Sequence, residues 1–163
     1  MSLEYAPRGL VGMLTPQANT TGEPEFNILW PKGVAMINAR LVSDKNTISA
    51  RLVDYFQNYG ATLSQFANAP VGVAAAACTG ASYLAGRERE AATVKEIEAH
   101  TGYSFVTAAL AVVDALAVMK AKRIGLVSPY PDDLNHASVT YWQSHGLEVA
   151  AVSNAFNAES SFH

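Results

Sequence analysis

Residues 70–82, PVGVAAAACTGAS, decide how the rest of the chain reads. The apolar run 70–77 carries no charge and no polar alternation, which suits a strand covered on both faces, as in a parallel sheet. It delivers Cys78-Thr79-Gly80 at its C-terminal end. Upstream, residues 8–14 (RGLVGML) form a second such run, and Pro16 favours ending a strand there because proline lacks the amide and fixes φ. Residues 17–32 are rich in Asn, Thr, Gly and Pro and read as a long loop, and long loops in compact domains are often functional. Residues 34–41 (VAMINARL) read as another strand, with Ser43-Asp44 able to cap the next helix. From Thr47 on, Ile48, Leu52, Val53, Phe56 and Tyr59 keep helical spacing; Gly60 interrupts it, and it resumes through Leu63 and Phe66.

Downstream of the thiol, residues 86–100 (GREREAATVKEIEAH) predict a helix ended by Gly102. Residues 104–107 form a short run, 108–120 a helix, 123–128 a strand, 132–145 a helix and 148–152 a strand. This alternation predicts an α/β fold with a mainly parallel sheet, helices on both faces, and a site at the C-terminal ends of the strands. The sequence then ends at residues 157–163, straight after a strand, where such a fold is expected to continue with a helix.

Composition narrows the function classes. With a net charge of −3, 11 Lys+Arg and no basic cluster longer than residues 120–123, the chain offers little attraction to a polyanion, so nucleic acid is not an expected partner. No apolar stretch approaches the ~20 residues that span a bilayer, and residues 1–8 lack the pattern of a secretory signal. The cytoplasm is the expected compartment, with no membrane partner and with a homo-oligomer compatible. One cysteine cannot form an internal disulfide, and four scattered histidines have no metal-ligand spacing. No nucleotide-binding motif occurs, so no cofactor and no metal are expected.

Three segments fall in loops after expected strands: residues 15–25, 78–82 and 128–135. Cys78 followed by a helix start would lie near backbone amides and a helix dipole, both of which stabilise a thiolate. The competing reading is a buried Cys acting as a small hydrophobe. Asn19-Thr20-Thr21 offers donors without fixed charge, suited to gripping a carboxylate, and equally reads as a turn held by its own side chains. The Tyr130 hydroxyl could bond a substrate oxygen or simply pack. Thr107 could add a hydroxyl to a site or cap the next helix. Asp132 and Asp133 suit a helix N-terminus, and His100, His136, His145 and His163 read as surface residues.

Set side by side, residues 12–21 (GMLTPQANTT), 77–82 (ACTGAS), 112–116 (VVDAL) and 121–135 (AKRIGLVSPYPDDLN) resemble the aspartate/glutamate racemase superfamily, and within it the maleate isomerase and arylmalonate decarboxylase branch. The resemblance implies flavodoxin-like α/β lobes, two in the complete family, with a cleft between them. It implies a first lobe over residues 1–107 and the incomplete beginning of a second over 108–163. By resemblance Cys78 is the first-lobe catalytic cysteine, a second-lobe partner would lie beyond His163, and Gly22 is unusual in the binding loop. Asn19, Thr20 and Thr21 would bind a carboxylate, while Thr79, Thr107 and Tyr130 would line the pocket. The implied activity is a cofactor-independent racemase or cis-trans isomerase acting on a small carboxylate. Arylmalonate decarboxylation, whose branch lacks a cysteine at this position, and a non-catalytic binding module are the alternatives.

Overall fold

A computed structural model describes residues 3–155, so residues 157–163 lie outside the described part. Four parallel strands form the first sheet in the order β2-β1-β3-β4: β1 (Gly9–Pro16), β2 (Val34–Leu41), β3 (Val73–Ala76) and β4 (Ser104–Thr107). The apolar run after Pro70 does what its composition implies. Ala74 and Ala76 are fully buried, and the amides of Gly72 and Ala77 extend the ladder by donating to Leu10 and Leu14 carbonyls at 3.0 and 2.8 Å. β1 pairs with β2 from Gly9 opposite Val34 to Pro16 opposite Leu41, and with β3 from Val11 opposite Val73 to Leu14 opposite Ala76.

The chain leaves β1 to one side to make β2, then returns across β1 to make β3. That reversal opens a crevice beyond the carboxyl ends of β1 and β3, where doubly wound sheets bind their ligands. Around the sheet lie α2 (Ile48–Gln57), α3 (Tyr59–Leu63), a 3-10 turn (Ser64–Phe66), α4 (Thr79–Ala85) and α5 (Arg87–Thr101). Gly102, at φ 78°, ends α5 in the left-handed conformation that glycine adopts without penalty. Leu14, Leu41, Tyr59 and Leu134 are fully buried in the main core, each large apolar side chain contributing about 1.5–3 kcal/mol.

The second part holds α6 (Ala108–Val118), β5 (Arg123–Ser128), α7 (Asp132–Ser144) and β6 (Glu148–Asn154), with β5 and β6 paired in parallel. Tyr141, Trp142, Leu147 and Ala109 form its small core, and Tyr83 of α4 packs against both cores. Among the described residues no helix is long and apolar enough to cross a membrane.

Three local expectations are corrected. The segment expected as a loop contains a helix, α1 (Gly22–Leu29). Pro24 does not forbid it, because first-turn amides have no intrahelical acceptor, and Glu23 and Glu25 favour the positive end of the helix dipole. The cap of α2 is Thr47, whose hydroxyl accepts from the Ala50 amide at 3.2 Å, rather than Ser43-Asp44; the Ser43 amide instead donates to Gln17. The interruption falls at Asn58, and Gly60 lies within α3.

Candidate active site

β3 ends one residue short of Ala77, and Cys78 follows in extended conformation (φ −148°, ψ 104°) immediately before α4. The thiol is 7% exposed and faces a cleft of about 600 Å³. Asn19, Thr20 and Thr21 from the loop after β1 line the same cleft, as do Thr79 and Tyr130. Five of the six expected substrate contacts and the thiol are thus brought together from three separate stretches of chain. Gly80 permits the approach: a Cβ there would stand 2.8 Å from Leu52 Cδ1 and 3.1 Å from the Tyr130 hydroxyl.

Thr107 is the exception, and the expectation that it lines the pocket is corrected. It is 1% exposed; its hydroxyl donates to Glu90 at 2.6 Å and accepts from the Leu110 amide at 3.1 Å, capping α6. The neighbouring Ala108 reaches the cleft in its place. Asp132 and Asp133 occupy the first turn of α7, as expected. His100, His136 and His145 do not line the cleft, and His163 lies outside the described residues.

The Asn19 turn is built by its own side chain. Asn19 Oδ1 accepts from the amides of Thr21 and Gly22 at 2.9 and 2.8 Å, which serves two otherwise orphaned donors at the start of α1. Arg40, at the end of β2, then fastens the loop: its guanidinium donates to the carbonyls of Pro16 (3.2 Å) and Asn19 (2.6 Å) and pairs with Glu23. Across the cleft, the Thr79 hydroxyl lies within hydrogen-bonding reach of the Tyr83 and Tyr130 phenols. Burial first, and then the nearby thiol, push the Tyr130 phenol up to about 12, so it remains a hydrogen-bond donor at neutral pH. A second groove, of about 640 Å³, lies between α2–α3 and α5, away from the thiol.

The model of the arylmalonate decarboxylase family matches residues 11–159. The chain belongs to the arylmalonate decarboxylase family. Within that family's branch, a curated maleate isomerase of Pseudomonas putida is 29% identical over 157 residues, covering 85% of this chain and 60% of the relative. A solved maleate isomerase from Pseudomonas putida, a cysteine-to-alanine variant with maleate, superposes with a TM-score of 0.80 at 21% identity, covering 91% of this chain and 64% of that one. A Nocardia farcinica maleate cis-trans isomerase, a cysteine-to-serine mutant with a covalently bound succinylcysteine intermediate, superposes with a TM-score of 0.79 at 21% identity, over 92% and 64%. These structural likenesses establish the fold. The chain spans about three fifths of the length of these relatives.

In this member of the arylmalonate decarboxylase family, sequence reading missed Arg51 and Tyr55, which line the cleft from α2. They stand four residues apart and so share a helix face, a signal visible in the sequence, but only the packing of α2 turns that face toward Cys78. Arg40 was also missed. Its signal is the one charged residue of β2, near the strand's end, a position where a charge needs partners.

The protonation of Cys78 departs from the sequence expectation. Burial pushes the thiol up, while the Gly80 and Ala81 amides pull it down and do not win. The thiolate is the form that alkylates, so a raised pKa means a smaller thiolate fraction at neutral pH. The ligand-free chain is therefore expected to react with iodoacetamide more slowly than a free thiol at pH 7. Its rate should rise with pH to a midpoint above that of the free thiol; a midpoint below it would show that the amides prevail over burial.

Proposed function

We propose that the cleft takes a small dicarboxylate and that Cys78 isomerises it, in the manner of a maleate cis-trans isomerase. The observation that supports this reading is the chain's one cysteine facing the same cleft as the Asn19–Thr21 turn, Tyr130 and Arg51. Arg51 supplies positive charge for an anion, and the loop offers amide and hydroxyl donors for one carboxylate. Thr79 and Tyr130 offer hydroxyls to the other.

In this reading the thiolate, a minority form at neutral pH, adds to an alkene carbon of maleate. A C–S bond forms, and the π pair moves into the adjacent carboxylate as an enediolate, which the hydroxyl donors stabilise. The former double bond is now single and rotates. The pair then returns, the C–S bond breaks, and fumarate leaves. Electrons balance without an external oxidant or reductant. The relatives favour this chemistry, since a succinylcysteine is what a thiol adduct of maleate becomes once protonated.

Proton NMR of maleate incubated with the protein extended over the full two-lobed length of these relatives tests the reading. Fumarate is expected to accumulate, faster as pH rises through the Cys78 alkylation curve. Absence of fumarate under conditions where Cys78 alkylates would sink the isomerase reading. A second reading has its own support: burial raises the Cys78 thiol, favouring the protonated form that could deliver a proton to the carbanion left by loss of CO2, the chemistry for which the family is named. Release of CO2 from an arylmalonate in D2O, with one deuteron in the product, would favour it.

A further inference from the structure

Glu90, in the first turn of α5, is 0% exposed. A carboxylate withdrawn from water is costly unless its oxygens are bonded. Among the described residues no ion pair reaches it; both oxygens are held by hydroxyls. Thr107 donates to Oε1 at 2.6 Å and Tyr141 to Oε2 at 2.5 Å. The two donors come from different parts of the fold. Thr107 closes β4 of the first sheet and caps α6, whereas Tyr141 stands on α7, in the small core beside β5 and β6.

The far end of α7 carries the link to the cleft. Asn135, near its start, donates from Nδ2 to the Tyr130 carbonyl at 2.8 Å. Tyr141 also packs on Tyr83 (5.5 Å between centroids), which meets the Tyr130 ring edge-on at 6.5 Å. α7 and its neighbours thus meet Tyr130 at two places, the backbone carbonyl through Asn135 and the ring through Tyr83. A buried polar cluster whose members are closed by hydrogen bonds fixes the relative placement of the elements that contribute them.

We propose that Glu90 is a positioning residue: by binding Thr107 and Tyr141 together it sets α7, and with it Tyr130, at the distance from Cys78 that the ligand requires. Glu90 touches no ligand itself and lies outside the cleft lining. The proposal rests on the dicarboxylate reading only for its choice of probe.

The test uses the full chain and maleate protection of Cys78 against iodoacetamide, with thermal unfolding measured in parallel. Glu90→Gln keeps the shape but cannot accept both hydroxyl protons. Half-protection in this variant is expected to need about tenfold more maleate than in the parent, since small displacements of a positioning group have effects of this size or larger. Tyr141→Phe should behave in the same way. Thr107→Ser retains the hydroxyl and should match the parent, while Thr107→Val should not.

A folded Glu90→Gln chain with unaltered half-protection overturns the proposal, as does Thr107→Ser being as impaired as Thr107→Val. If Glu90→Gln fails to fold, Tyr141→Phe, which deletes a single oxygen, decides on the same two outcomes. If maleate does not protect even the parent, the substrate reading fails, and the ligand-free alkylation rate decides separately. Glu90→Gln should then change that rate about threefold or more with Thr107→Ser unchanged, the thiol's access and environment being what the cleft wall sets; equal rates overturn the proposal.

Discussion

Cys78→Ser is expected to lower maleate turnover by about four orders of magnitude or more, the scale at which removal of a nucleophile acts. The substitution exchanges sulfur for oxygen in nearly the same volume, so packing against the main core changes little. The chemistry changes greatly, because a serine hydroxyl ionises far above any working pH and lacks the intrinsic nucleophilicity of sulfur. Circular dichroism and thermal unfolding should match the parent, which separates lost chemistry from lost fold. Fumarate production within about tenfold of the parent, a barrier difference of only about 1.4 kcal/mol, would remove Cys78 from the mechanism.

Arg40→Met is expected to lower kcat/KM for maleate by about 100-fold, the effect that a displacement of order 1 Å in a positioning loop can have. The guanidinium holds the Pro16 and Asn19 carbonyls and Glu23 at once, joining the end of β2 to the turn and to the start of α1. Methionine keeps most of the apolar stem and removes all three polar contacts. The Arg40–Glu23 pair is partly solvated, with side chains 38% and 24% exposed, so the loss of global stability should stay below about 1 kcal/mol. The loss should appear mainly in KM, because the turn is read as binding a carboxylate that does not react. A parental KM in a folded Arg40→Met chain would show that the turn holds its shape without the guanidinium.

Much of the fold is legible in the chain. The uncharged run before Cys78 identifies a doubly covered strand, and the Glu/Arg-rich stretch before Gly102 identifies α5, because both signals depend on residues close in sequence. The strand ends then identify which loops meet. Cys78, Asn19, Thr20, Thr21, Thr79 and Tyr130 line one cleft because parallel strands deliver their following loops to the same edge of a sheet. Less legible was α1. The Asn, Thr, Gly and Pro of residues 17–32 favour turns locally, and what accompanies the helix is Arg40, from the next strand, pairing with Glu23 and gripping the preceding turn.

Thr107 shows the same boundary in a single side chain. Its two sequence readings, a site hydroxyl or a helix cap, cannot be separated locally, since both place a threonine at the same strand-to-helix corner. Glu90, seventeen residues earlier, and Tyr141 beyond it settle the matter by enclosing the hydroxyl in a buried polar group.

The sequence by itself determined the order and type of most elements, the parallel sheet, and the loop on which the thiol sits, because periodicity and turn chemistry act over a few neighbouring residues. The tertiary structure alone decided that burial outweighs the amides at the thiol, that Thr107 turns away from the cleft, that α2 presents Arg51 and Tyr55 to it, and that Glu90 is sealed between hydroxyls from two parts of the fold. The physical reason is that desolvation and hydrogen-bond closure depend on which distant segments exclude water from a group, and no local pattern carries that information.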